Sequence, residues 1–338
     1  MSNLILTGSD ELEQFYKNKF YFSYSSINKL LFSPIAFYNH YVLNQREDST
    51  DAHLVAGRAL HCLLLEPDNF DDYFLTLPGK LPTDSQRKII DNIFRIHHTI
   101  GNNSLLLEDY STDILTQLLT ANLYQSLKTD QQRIEKILTE ENKEYFEFLK
   151  QRVGKTVIDQ ETLNGCKVSI EIIKSNVAVR SLLQLDRSSD DDHLEVYNEC
   201  AIQADYPWLP FGFKGVLDNV VVDRSSKTLF INDLKTTSKS IQDFPDSVQY
   251  YKYWIQAVIY ALLASNKYLE NEEKDEWKIQ ITFIVIDKYN QLYPFQVSLE
   301  TLAKWKEDFN LILTQVKWHY ANKKYELPYE LAIGNVKL

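Results

Sequence analysis

Apolar residues recur along this chain with two different periods. In most segments they return every three or four positions, as one face of a helix requires. From 193 to 237, and again from 278 to 297, they alternate or run together with Val, Ile, Phe and Tyr, as strands do. Helices are predicted over 22–44 with a break at Ser33-Pro34, within 54–70 up to Glu66-Pro67, and over 159–186, 247–265 and 300–322. Residues 85–153 are charged and of helical period throughout, and read as a helical insertion. Residues 71–84, with FLTLPGKLPTD, read as a loop, and 154–158 as a break and a short strand. Strands are predicted over 193–203, 216–222, 228–234, 278–287 and 293–297, the second and third forming a hairpin about the polar turn 223–227. The polar run 45–53 is a loop, and the acidic run 188–192 marks a boundary. The order predicts an α/β fold, a mixed central β-sheet flanked by helices, in a single domain over 1–338.

Composition narrows the class. With 338 residues, 44% hydrophobic and 25% charged, the chain suits a large soluble core. No apolar run approaches the ~18 residues of a membrane span, so no membrane partner is expected. The first residues, MSNLILTGSDELEQ, lack a basic region followed by an apolar core, so a cytoplasmic location is expected. Cys62, Cys166 and Cys200 are odd in number and widely spaced, which fits a reducing compartment and excludes a four-cysteine iron–sulfur cluster. A net charge of −11 argues against a general nucleic-acid coat protein. Any nucleic-acid contact must then use local positive charge, for which Lys29, Arg58, Lys214 and Lys252 are candidates.

Candidate chemistry gathers on the hairpin. Asp218 lies in its first strand, and Asp233 and Lys235 close the second, although Asp and Lys are poor strand formers. Residues two apart in a strand share a face, so Asp233 and Lys235 project together. Carboxylates converging there suit a hard divalent cation, leaving the lysine for substrate or water. Glu199 sits in the strand before, so Glu199, Asp218 and Asp233 fall on three consecutive strands. On the helix over 247–265, Gln249, Tyr253, Gln256 and Tyr260 form a stripe able to reach a phosphate or a base. Ser23, Ser25 and Ser26 open the first helix, where they can cap it or meet a phosphate. His61 lies in an apolar helix, where a lone histidine is more often packed than ligating. Gly154-Lys155-Thr156 lacks the upstream glycine of a phosphate-binding loop, so nucleotide binding is rejected.

The order Ser23-x-Ser25, Gly57-Arg58-Ala59-Leu60-His61, Leu65-Glu66-Pro67, Gly154 to Ile158, Glu199, Asp218, Asp233-Leu234-Lys235 and Gln256-x-x-x-Tyr260 resembles the PD-(D/E)XK nuclease superfamily. Within it the chain resembles the RecE (exonuclease VIII) family of phage-type recombination exonucleases. The resemblance implies a restriction-endonuclease-like core, its catalytic sheet and DNA-contacting helix within 193–322. It implies that His61, Asp218, Asp233 and the Leu234 carbonyl hold one Mg²⁺ or Mn²⁺, that Glu199 helps hold a second metal or its waters, and that Lys235 orients or deprotonates the attacking water. Gln256, Tyr260, Tyr253, Ser25 and Arg58 would contact DNA. The implied activity is 5′→3′ degradation of double-stranded DNA ends in recombination, repair or phage DNA metabolism. The implied partners are further copies of the chain and a single-strand annealing protein. A single-strand or flap exonuclease of the same fold is one alternative, and a DNA-end-binding module that does not cleave is another.

Overall fold

The computed structural model describes residues 15–45, 52–98, 104–187, 193–269 and 274–336. Most of the polar loop expected at 45–53, and the acidic boundary at 188–192, lie outside these residues. Among the described residues eight strands occur in chain order: β1 Tyr21–Phe22, β2 Phe74–Thr76, β3 Thr156–Ile158, β4 Leu194–Ala204, β5 Gly212–Asp223, β6 Thr228–Thr237, β7 Lys278–Asp287 and β8 Leu292–Gln296. The chain divides into two compact units, one of 1–51, 64–66 and 169–338, the other of 52–63 and 67–168.

The first unit is a mixed α/β sheet flanked by helices. Its strand order is β1-β5-β6-β7-β8, with β4 also paired to β5. β5 and β6 are the antiparallel hairpin, paired from Asn219↔Asn232 to Asp223↔Thr228. β6 and β7 run parallel from Thr228↔Lys278 to Thr237↔Asp287. Parallel neighbours need a crossover, and here it carries the helices Phe244–Tyr250 and Tyr253–Tyr268. The second of these helices packs against β4, β5, β6 and β7 and against the helix Leu299–Asn322. Ile255, Val258, Ile259 and Leu263 from it join Val220, Val222, Leu229, Ile231 and Phe283 from the strands in one buried core.

The expected single helix over 247–265 is two. Lys252 adopts the left-handed conformation, φ +57°, and separates Phe244–Tyr250 from Tyr253–Tyr268. The Tyr251 carbonyl at the break accepts from the Tyr24 hydroxyl and, at 3.4 Å, from Asn28 Nδ2. Tertiary donors thus satisfy a carbonyl that a continuous helix would have used itself. The helix expected over 159–186 also divides, at Asn176, whose side chain accepts from Val179 N–H at 3.1 Å and caps Val177–Leu182.

The second unit contains the helices Asp84–His97, Ser111–Thr120, Asp130–Glu135 and Glu140–Gln151. Ile90, Ile93, Ile114, Leu118, Phe146 and Leu149 give it a hydrophobic cluster of its own. It also holds a two-stranded parallel sheet, β2 with β3, where the sequence predicts a loop at 71–84.

Candidate active site

The site of the first unit begins with a fork in the sheet. β6 leaves the edge of β5 beyond Asn219↔Asn232, and β1 takes that edge only at Gly212 and Phe213. β6 itself continues to Thr237 along β7. The fork leaves the Leu234 N–H without a backbone partner on β5, and the side chain of Asp218 takes its place: Oδ2 accepts from Leu234 N–H at 2.7 Å. In an extended strand the N–H and C=O of one residue project to the same edge, so the Leu234 carbonyl faces the fork as well.

Asp233 and Lys235 project from one face of β6 and form an ion pair, Lys235 Nζ to Asp233 Oδ2. Asp233 and Asp218 are both buried. Burial alone would pull the Lys235 pKa down; the Asp233 and Asp218 carboxylates outweigh it and hold the ammonium above its ordinary value. The same ammonium lies 5.1 Å from the centroid of the Tyr253 ring.

Glu199 enters from β4. The β4–β5 register runs unbroken from Leu194↔Asp223 to Ala204↔Phe213 except at the Glu199 and Asp218 positions. There Glu199 has φ +45°, a left-handed conformation that costs a non-glycine residue about 1–3 kcal/mol. The strand faces switch beside it. A Cβ on Gly215 would stand 2.9 Å from Tyr260 and 3.2 Å from Leu263, so Gly215 faces the helix Tyr253–Tyr268. Val220 and Val222, of opposite parity, also join the core that includes this helix.

Tyr260 closes the site from the helix side. Burial pushes its pKa well up, and the charges of Asp233, Asp218 and Glu199 push it further, so three carboxylates act on one hydroxyl. Gln256, one turn earlier, donates to the Tyr260 hydroxyl at 2.8 Å. Both are buried, and their hydrogen bond fixes the Tyr260 hydroxyl on which these charges act. Gly215 lets the Tyr260 ring approach the strand so closely.

An amide ladder runs behind the acidic row. Asn219 is the cross-strand neighbour of both Asn198 and Asn232, and each of the three is adjacent in sequence to Glu199, Asp218 or Asp233. Asn219 Nδ2 donates to Asn198 Oδ1, and Asn232 Nδ2 to Asn219 Oδ1, each at 2.8 Å. The ladder also donates to the carbonyls of Leu65 at 3.2 Å, Leu182 at 2.9 Å and Leu183 at 3.3 Å, which end two helices. Asn219 and Asn232 are fully buried. Sequence reasoning missed this ladder, although three asparagines in strands beside three acidic residues are visible in the chain.

A sequence model of the PD-(D/E)XK nuclease superfamily matches residues 21–326. The chain belongs to that superfamily. In this nuclease Asp233-Leu234-Lys235 has the residue types of a (D/E)-x-K element. No protein of curated function matches the sequence. The fold is similar to a crystal structure at 2.19 Å from Eubacterium rectale, a protein provisionally described as an exonuclease. That likeness has a TM-score of 0.48 at 12% identity, over 100% of this chain and 95% of that one.

The remaining predicted residues of this nuclease fall in four places. Ser25 is exposed on the helix Tyr24–Phe32, its hydroxyl 2.9 Å from that of Ser23, which caps the helix together with Ser26. Lys214 is exposed on β5, Lys29 is half-buried on the first helix, and Lys252 marks the helix break. His61 and Arg58 belong to the second unit, on the helix Ala52–Leu65; Arg58 lies over the Phe74 ring at 5.9 Å. Among the described residues no helix is long and apolar enough to cross a membrane.

The donor set suits a hard divalent cation. Asp218 and Asp233 are buried carboxylates with one ammonium between them, so negative charge remains in excess. Among cations, oxygen donors of this kind favour Mg²⁺ or Mn²⁺ over softer metals.

Proposed function

We propose that this protein is a metal-dependent DNA exonuclease, hydrolysing phosphodiester bonds from double-stranded ends with 5′→3′ polarity, as in the RecE family. The fork carries this reading: Asp218 reaches across it to the Leu234 N–H while Asp233 and Lys235 pair on the adjoining strand. By the resemblance, the Asp218 and Asp233 carboxylates and the Leu234 carbonyl would hold one ion with His61, and Glu199 would help hold a second metal or its waters. Bound there, Mg²⁺ or Mn²⁺ would neutralise charge on the scissile phosphate and acidify a water.

The residues divide the remaining work. Lys235, held as an ammonium by its carboxylates, orients the attacking water and stabilises the negative charge that develops on phosphate oxygens. Tyr260, fixed by Gln256 against Gly215, donates a hydrogen bond toward the phosphate. Ser25, Tyr253 and Arg58 contact the DNA backbone. Action in the cytoplasm on recombining, damaged or phage DNA, further copies of the chain and a single-strand annealing partner belong to the same reading.

The test is degradation of a linear duplex labelled at the 5′ or the 3′ end, with Mg²⁺, by wild type and Lys235→Ala. Release of 5′ nucleotides by wild type and not by the variant is expected. Cleavage of single strands or flaps only would keep the site and change the substrate. DNA binding without cleavage in Mg²⁺ or Mn²⁺ would overturn the enzyme reading.

A further inference from the structure

A continuous run of tyrosines leads from Lys235 to the protein surface. The Lys235 ammonium lies over the Tyr253 ring. The Tyr253 ring stacks on Tyr251 at 5.5 Å and 29°, and Tyr251 meets Tyr250 edge to face at 4.9 Å and 89°. Exposure rises along the run: Tyr253 is half-buried, Tyr251 is 41% exposed and Tyr250 is 75% exposed. Lys239, four residues beyond Lys235, reaches over both outer rings, its Nζ 5.6 Å from each centroid.

The helix break builds this arrangement. With Lys252 left-handed, the chain turns between Tyr251 and Tyr253, so consecutive aromatic residues end on one path instead of spiralling about a helix axis. Tyr24 and Asn28 fix the turn through the Tyr251 carbonyl. A large exposed aromatic such as Tyr250 contributes little to a core, so the fold does not require it there.

We propose that Tyr250 and Tyr251, with Lys239, form a stacking platform for the unpaired bases of single-stranded DNA as the strand approaches the fork. The proposal deepens the nuclease reading and rests on it. Aromatic faces take any base, and a lysine beside them takes the adjoining phosphate, which is the chemistry of sequence-tolerant single-strand binding. Lys239 now covers the rings by an exposed cation–π contact, a weak interaction that a phosphate readily displaces. Duplex ends keep their bases stacked within the helix and have less to offer these rings. A single strand, unpaired ahead of the fork, is therefore the form of DNA this surface fits.

Binding is measured without cleavage, in EDTA, by fluorescence anisotropy of a labelled single-stranded oligothymidylate and of a blunt duplex of equal length. Wild type is expected to bind both, with the single-strand affinity alone depending on the tyrosines. Tyr250→Ala and Tyr251→Ala are each expected to weaken single-strand binding roughly tenfold. Lys239→Ala is expected to reduce the salt dependence by about one phosphate contact. On an oligonucleotide of abasic sites the tyrosine substitutions should have no further effect, which a merely structural role would not produce. Unchanged single-strand affinity in the double variant, or an equal loss of blunt-duplex affinity, would overturn the platform. Cleavage by wild type in Mg²⁺ with tyrosine-independent binding refutes the platform and leaves the nuclease. Tyrosine-dependent binding without any cleavage does the reverse.

Discussion

Glu199 and Asp218 face each other across the β4–β5 ladder at its single interruption, where Glu199 is held in a left-handed conformation. Strain of this kind persists only where surrounding structure fixes it, and it concentrates where geometry serves chemistry. Here the ladder is intact on both sides, so the strain is local to one acidic pair.

Glu199→Asn separates strain from chemistry. Asparagine tolerates the left-handed region better than glutamate, so the variant should be as stable as wild type or up to about 1 kcal/mol more stable. Its cleavage rate should fall by roughly 100-fold, the scale of losing a group that organises a metal. Urea denaturation and a nuclease assay check the two halves. A rate within tenfold of wild type would remove Glu199 from the site.

Lys235→Ala leaves Asp233 and Asp218 without their compensating cation. Breaking a buried ion pair from one side costs about 3–5 kcal/mol, so the metal-free variant should be markedly less stable. Mg²⁺ should restore part of that loss, because a divalent ion supplies the missing positive charge. Thermal melts with and without Mg²⁺ at matched ionic strength read this directly. Equal destabilisation in both conditions would mean that the carboxylates do not hold the ion.

Asn219→Ala interrupts the amide ladder in the middle, removing a donor to Asn198 and an acceptor from Asn232. Asn232 is buried and Asn198 exposed, so the loss should be about 1–3 kcal/mol, most of it from the Asn232 amide left without its acceptor. Cleavage by the folded fraction should fall as well, since each asparagine adjoins a residue of the acidic row. A loss below about 0.5 kcal/mol would show that the ladder is not structural.

His319 gives a pH dependence. Burial lowers its pKa, opposed by the Lys324 carbonyl, which accepts from Nδ1 at 2.6 Å, and by Glu326. The folded state therefore binds a proton less readily than the unfolded state, whose histidine titrates near ~6.5. Stability from His319 is full above about 6.5 and falls as pH drops toward the lower folded value. His319→Gln should flatten the urea midpoint between about pH 7.5 and 5.5. An unchanged slope would assign the acid sensitivity to other groups.

The sequence makes the sheet legible because β-branched runs and turn residues alternate on the scale of its strands. It makes Asp218, Asp233 and Lys235 legible because charges in such runs contradict strand propensity. The left-handed Glu199 has no local signal, since glutamate seldom adopts that conformation and its neighbours look like ordinary strand. The helix break at Lys252 depends on Tyr24 and Asn28, more than two hundred residues away in the chain. β2 is three residues long, too short for a period to show. Asn198, Asn219 and Asn232 read singly as weak strand residues; only the register aligns them.

The hydrogen bond from Leu234 to Asp218 makes a carboxylate proposed to hold metal a fastening as well. Deleting it as Asp218→Ala would unhook β6 from β5 at the mouth of the fork, so a dead variant would leave unfolding and lost chemistry entangled. Asp218→Asn retains an oxygen for the Leu234 amide while discarding the charge, and it is the substitution whose silence can be interpreted.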